Sequence, residues 1–129
     1  MKISHIAIWP TDLETLRKFY ITYFEGRSGK KYTNPRKGFE SYFIYFGEEK
    51  NASLEIMQRA DITRIHVPEE YMGITHIAFS TGSKEKVNLL TEQLRKDGFR
   101  IVGEPRTTGD GYYESVVLDP DGNRVEITD

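Results

Sequence analysis

The sequence predicts an α+β fold made of two related modules, and three observations predict it. The first is an ungapped internal repeat. Ile3-Ser4-His5-Ile6-Ala7-Ile8 reads against Ile74-Thr75-His76-Ile77-Ala78-Phe79, and Leu54-Glu55-Ile56 against Val125-Glu126-Ile127, all at one offset of 71 positions. The second is that each copy begins with a β-rich apolar run, passes into a helical period and returns to strand-like runs. The third is the period itself, which is too long for a solenoid and fits two fused modules of about 60 residues.

Taken in order, Lys2 to Trp9 is the first strand. Thr11-Asp12-Leu13-Glu14 fits a capping box with Thr11 as the cap. Leu13, Leu16, Phe19, Tyr20 and Tyr23 follow at helical spacing, and Gly26 ends the run. Lys30-Lys31 and Arg36-Lys37 read as a solvated hairpin. Phe39 to Phe46 and Asn51 to Gln58 are further strands. Residues 59–72 are polar, include Pro68, show no period and read as a linker, with His66 a surface residue inside it. The modules therefore run from 1 to 58 and from 73 to 129, in one domain. In the second, Ile74 to Ser80 is the strand, and Val87, Leu90 and Leu94 carry the helix stripe at the positions of Leu16, Phe19 and Tyr23. Gly98 ends that helix. Phe99 to Glu104, Tyr112 to Leu118 and Arg124 to Thr128 are strands, the last two joined by the turn Asp119-Pro120-Asp121-Gly122.

Alternation along a strand places His5 opposite Ile6 and Ile8, and His76 opposite Ile77 and Phe79. Glu55 is flanked by Leu54 and Ile56, and Glu126 by Val125 and Ile127. All four polar residues thus oppose the apolar set that a helix covers, and if the sheet curls their face becomes the inner wall of a cleft. A lone His or Glu in a strand is more often a surface or satisfied core residue than a ligand. Four of them, repeated at one offset and facing one way, match a two-fold pseudosymmetric metal site of His5, Glu55, His76 and Glu126. Two imidazoles and two carboxylates suit Zn, Ni, Co, Mn or Fe and not the all-oxygen shells of Ca or Mg.

Composition narrows the function classes. A net charge of −2 and a pI near 5.9 leave no basic footprint for nucleic acid. The absence of cysteine removes disulfides, thiolate ligands and thiol catalysis together. No apolar run approaches the ~20 residues of a membrane span, and the N-terminus has no signal-peptide shape, so the expected setting is cytoplasmic. Small modules with exposed sheet edges also point to a homodimer.

On these residues the chain resembles the vicinal oxygen chelate superfamily, which includes glyoxalase I, fosfomycin-resistance enzymes, extradiol dioxygenases, methylmalonyl-CoA epimerase and bleomycin-binding proteins. The motifs are His5-Ile6-Ala7-Ile8, Gly73-Ile74-Thr75-His76-Ile77-Ala78-Phe79 and Asp119-Pro120-Asp121-Gly122-Asn123-Arg124-Val125-Glu126. The resemblance spans essentially the whole chain and implies two βαβββ modules forming an open, cup-like mixed sheet around a metal. The order His, Glu, His, Glu is that of small glyoxalase I enzymes. It implies one divalent transition metal, with zinc or nickel first, and isomerisation of a 2-oxoaldehyde–thiol hemithioacetal to a 2-hydroxyacyl thioester. By resemblance Glu126 is the base and Glu55 its symmetric partner, though the residues themselves do not distinguish the two. Epimerisation next to a thioester, thiol transfer to an antibiotic and sequestration of a hydrophobic drug are the alternatives. In glyoxalase I, basic and amide side chains hold the glutathione carboxylates. Here Trp9-Pro10 and Gln58-Arg59 stand at two of those positions, and Arg17, Arg106 and Arg124 are candidate grips for an anionic substrate.

Overall fold

The structure is a computed structural model, and it describes residues 2–48, 51–64, 72–109 and 111–129. The chain divides into two compact units, Met1–His66 and Val67–Asp129. His66 and positions 65–71 of the expected linker lie outside the described residues.

In the first unit β1 (His5–Ile8) leads into α1 (Leu13–Tyr23), then two short strands β2 (Arg27–Ser28) and β3 (Tyr32–Asn34). A 3-10 turn (Pro35–Lys37), β4 (Phe39–Tyr45) and β5 (Ser53–Arg59) complete it. The sheet order is β1-β5-β4-β2, with β3 also pairing with β4, and β1 runs parallel to β5. The second unit is β6 (Ile77–Ser80), α2 (Lys84–Lys96), β7 (Ile101–Thr107), β8 (Tyr113–Leu118) and β9 (Arg124–Thr128), in the order β6-β9-β8-β7 with β6 parallel to β9. Each unit is thus a mixed sheet carrying one helix, the strand–helix–strands module read from the sequence.

The repeat is exact in register where it was exact in sequence. Ile6, Ala7 and Ile8 face Leu54, Glu55 and Ile56, while Ile77, Ala78 and Phe79 face Val125, Glu126 and Ile127. The hairpins differ. Ile44 pairs with Leu54 across a longer connection than the one by which Val117 pairs with Val125. The shorter connection is the Asp119 turn. The Asp119 carboxylate accepts from the backbone N–H of Asp121 and Asn123 and from the Asn123 side chain, each at 2.9 Å, and Gly122 takes a φ of 87° that a side chain would resist.

Burial follows the predicted faces. Leu13, Leu16, Phe19 and Tyr20 of α1 lie buried on β4 and β5 with Tyr42, Ile44, Leu54 and Ile56. Val87, Thr91 and Leu94 of α2 are buried with Ser115, Val117, Val125 and Ile127. Each fully buried Leu, Ile or Val contributes roughly 1.5–3 kcal/mol. The helix start is corrected by one residue. Asp12, not Thr11, is the N-cap of α1, because its carboxylate accepts the Thr15 N–H at 2.7 Å. That bond holds the Asp12 carboxyl below its ordinary range. Glu14, expected to close a capping box, instead accepts from the Tyr42 hydroxyl at 2.9 Å. At the other end Glu25 takes the left-handed conformation (φ 54°) and the Gly26 N–H bonds the Tyr20 carbonyl. A Cβ on Gly26 would stand 2.7 Å from Ile44 Cγ2, so only glycine lets the chain pass there.

Three further expectations are revised. The stretch Lys30–Lys37 expected as a solvated hairpin instead holds β3 and the 3-10 turn, and β3, like β2 before it, pairs with β4. Lys31 is not simply solvated, since its ammonium bridges Glu14 at 2.9 Å and Glu40 at 3.2 Å. Arg59 closes β5 rather than opening the linker. The first strands of both units are also shorter than predicted. The β6–β9 ladder starts at Ile77 opposite Val125, so His76 stands just before β6.

Candidate metal centre

Each unit builds a His–Glu pair in the same way. A carboxylate comes from the middle of a central strand, and the imidazole comes from two residues earlier than its direct neighbour on the parallel edge strand. Ala7 is the residue opposite Glu55, and His5 reaches diagonally to place Nε2 3.8 Å from Glu55 Oε2. Ala78 is opposite Glu126, and His76 Nε2 lies 3.5 Å from Glu126 Oε2. The exposures match as closely. The histidine side chains are 42% and 44% exposed and the glutamates 16% and 17%, so the carboxylates are held while the imidazoles stay accessible. With Leu54, Ile56, Val125 and Ile127 buried under the helices, all four polar side chains take the other face of their sheets, as alternation requires.

The other imidazole nitrogen repeats too. His5 Nδ1 lies 3.4 Å from Ser4 Oγ, and His76 Nδ1 lies 3.0 Å from Thr75 Oγ1. A hydroxyl that accepts from Nδ1–H fixes the tautomer and leaves the Nε2 lone pair free for a cation. This outer contact was not singled out from the sequence, although Ser4 and Thr75 stood at matching places in the repeat.

The donors fit a transition ion. Zinc–nitrogen and zinc–carboxylate distances are ~2.0–2.2 Å. Atoms 3.5 and 3.8 Å apart are therefore close enough for one ion to touch both members of a pair. Among the described residues, no third His, Asp or Glu joins either pair into a metal-ready group.

The surroundings of the two pairs differ. Phe43, directly across β5 from Glu55, meets His5 edge to face at 5.5 Å and stacks on Tyr45 at 6.3 Å. Val116 takes the corresponding place opposite Glu126. Register puts Glu114 and Arg106 on the same face of the second unit, with Arg106 Nη2 3.7 Å from Glu114 Oε1. Arg124 lies on that face two residues before Glu126. Arg17, the third candidate anion grip, is elsewhere. It lies on the helix side, bonds Ser28 Oγ at 2.8 Å and covers the Tyr42 ring at 4.7 Å. Of the nearby aromatic side chains, Trp9 and Phe43 share the face of Glu55. Tyr42 is buried under α1, Tyr113 bonds Asn88 of α2, and Tyr112 is exposed just before β8.

A family model described as the Glyoxalase/Bleomycin resistance protein/Dioxygenase superfamily matches residues 2–127. The chain belongs to that superfamily. It is similar to the glyoxalase I of Leishmania major, described as trypanothione-dependent, at 25% identity and a TM-score of 0.80, over 100% of this chain and 86% of that one. It matches a V278E mutant of maize glyoxalase I with a TM-score of 0.82 at 23% identity, a likeness of fold in which this chain spans 44% of the maize chain. In sequence it is 28% identical to the uncharacterized Bacillus subtilis protein YqjT over 97% of this chain and 96% of that protein. Superfamily members with this fold include enzymes, and among the described residues no helix is long and apolar enough to cross a membrane.

Proposed function

We propose that the protein is a glyoxalase I-like isomerase, in which His5, Glu55, His76 and Glu126 hold one divalent transition ion, zinc or nickel. The observation that carries this reading is the repetition of the His–Glu pair with its register, spacing, exposure and outer hydroxyl unchanged, while neighbouring positions have diverged. The two half-sites complete one shell either within a chain or across a homodimer. The proposed setting is cytoplasmic.

When bound, the ion supplies Lewis-acid polarisation of two neighbouring substrate oxygens, which acidifies the adjacent C–H. The residues do the rest. The carboxylate of Glu126 takes the proton from the carbon that bears the sulfur and returns it to the neighbouring carbonyl carbon. The first carbon becomes the thioester carbonyl and the second becomes a carbinol, as the hydroxyl proton of the first passes to the oxygen of the second. The electron pair moves within the substrate, so no external oxidant or reductant is required. Glu55 is the symmetric partner, positioned to share the proton work. Ser4 and Thr75 keep the two imidazoles oriented throughout.

The test is thioester formation from methylglyoxal with glutathione and with other cellular thiols, on protein loaded with nickel or zinc. Glu126→Gln should retain the fold and lose about 10²- to 10⁴-fold in rate. Glu55→Gln should lose less if Glu126 is the main base, and equally if the two share the proton. No turnover with any thiol, from protein shown to carry the metal, would move the assignment to another reaction of the superfamily.

A further inference from the structure

The open face of the second unit changes character one row past Glu126. Glu126 lies between Ala78 and Val116, which are small or aliphatic. In the next row Thr128 lies between Ser80 and Glu114, and Glu114 faces Arg106 on β7. Arg106 reaches that face only through an irregularity. Val116 pairs with Gly103 and Glu114 with Arg106, so two steps along β8 match three along β7. The extra residue is a bulge, and it turns Arg106 to the side that plain alternation would deny it. Pro105 sits inside the bulge, where a missing N–H is tolerated. Beyond Glu114 stands Tyr112. Tyr113 turns to Asn88 of α2, so Tyr112 takes the open side, and it is 58% exposed.

This row carries more polarity than the fold needs. Glu114 is 14% exposed and Arg106 59%, and the 3.7 Å between them is wider than a hydrogen bond. Thr128 Oγ1 is shielded from water and has no hydrogen-bond partner among the described residues. A carboxylate acceptor and a guanidinium donor thus stand side by side, with an unmet hydroxyl in their row and an exposed ring next to it. A hydroxyl both donates and accepts, so a neutral polyol matches the Glu114–Arg106 pair while its C–H edge covers the Tyr112 ring. An anion at Arg106 would meet the Glu114 carboxylate, and a cation at Glu114 would meet the guanidinium. An apolar chain would cover both charges and give them no partner, which is costly.

We propose that Tyr112, Glu114, Arg106 and Thr128 form a subsite for a neutral polyol group. The row stands two residues, ~6.6 Å, along β9 from Glu126. That is the reach of a few carbons beyond the reacting pair. The polyol is therefore a group of the substrate itself, carried by the oxoaldehyde or by the thiol. Only this last link rests on the proposed isomerase reading.

Backbone amide resonances of the full-length protein follow the subsite, with a chelator present so that no ion takes part. The probes are erythritol, 1-butanol on the same carbon skeleton, and acetate. Erythritol should shift the Glu114 and Thr128 resonances saturably, and butanol and acetate should bind about tenfold more weakly or worse. Glu114→Ala should weaken erythritol about tenfold. Tyr112→Ala should weaken it less, and Tyr112→Phe should match the parent protein, because the ring and not its hydroxyl makes the contact. Thr128→Val removes an unmet hydroxyl, so it should weaken erythritol without lowering the melting temperature. Circular dichroism confirms that each variant is folded. Turnover by metal-loaded protein then names the carrier. Hydroxypyruvaldehyde against 2-oxobutanal varies the oxoaldehyde at one thiol, and thioglycerol against butanethiol varies the thiol at one oxoaldehyde. One arm should favour its hydroxylated member about tenfold, and Glu114→Ala should abolish that preference. Equal responses to erythritol and butanol, no saturable response, or parent-like binding by Glu114→Ala would overturn the proposal. A lower melting temperature for Thr128→Val would strike Thr128 from the subsite. Saturable erythritol binding without any turnover would sink the isomerase reading and leave the subsite standing. Turnover with no preference in either arm would break its link to the substrate.

Discussion

The two units share a blueprint and little else. Their His–Glu pairs, the alanines opposite the glutamates and the hydroxyls behind the histidines coincide. Around the first pair the open face is aromatic, with Phe43 against His5 and Trp9 and Phe39 further along. Around the second it is aliphatic and charged, with Val116, Glu114 and Arg106. The cores part in the same way. Tyr20 fills the place beneath α1 that Thr91 fills beneath α2, and both are fully buried. Thr91 then needs a partner, and Ser115 supplies it at 2.7 Å. The difference teaches that what stayed constant between the copies is the geometry of the pair. Packing was free to change as long as each helix still covered its sheet, and the two open faces were free to specialise.

The largest effect that would sharpen this comparison is in the matched core. Ile56→Ala and Ile127→Ala remove fully buried side chains at equivalent places, next to Glu55 and Glu126. Each should lower the free energy of unfolding by about 2–5 kcal/mol in chemical denaturation. A gap above ~2 kcal/mol between them would break the equivalence of the two sheets.

A smaller effect probes the divergent core. Thr91→Val leaves the Ser115 hydroxyl without its buried partner and should cost about 1–3 kcal/mol. Adding Ser115→Ala should recover much of that loss, because an apolar pair carries no unmet hydrogen bond. A double variant less stable than either single variant would show that the pair is not a unit.

The smallest effect belongs to the latch that only the first unit's extra strands require. The Lys31 ammonium holds the Glu14 carboxyl below its ordinary 4.5, and Glu14 in return raises Lys31. A depressed carboxyl stabilises the fold above its ordinary value and loses that contribution as the pH falls through its folded value. Melting curves should therefore separate the parent protein from Glu14→Gln at neutral pH and converge in acid below 4.5. The separation should be small, since both side chains are exposed and screened. An undiminished separation in acid would place the effect of Glu14 in its contact with Tyr42 instead.

Most of the fold was legible because it rests on periodicity. Leu16 and Val87 fall on helix stripes, Leu54, Ile56, Val125 and Ile127 alternate, and an offset of 71 ties the copies together. The parts that escaped depend on contacts distant in sequence. The strands β2 and β3 are two and three residues long and lie in a stretch of Gly29, Lys30 and Lys31 with no alternation, so only their pairing with β4 defines them. The true cap was hidden because Thr11 and Asp12 are both good caps and only geometry chooses. The buried Thr91 and Ser115 escaped because the hydrogen bond by which each satisfies the other joins a helix to a strand. The His–Glu pairs were legible because two copies of an unusual pattern carry far more information than one. The Arg106–Glu114 pairing was not, because only the bulge in β7 turns Arg106 to that face.

The central claim is that the conserved geometry of the two pairs serves one ion. Metal analysis of the purified parent protein and of His76→Ala by inductively coupled plasma mass spectrometry tests it most directly. The account predicts one divalent transition ion per chain in the parent protein and a sharp drop in His76→Ala, because an incomplete shell cannot satisfy the ion. Full occupancy in His76→Ala would contradict it.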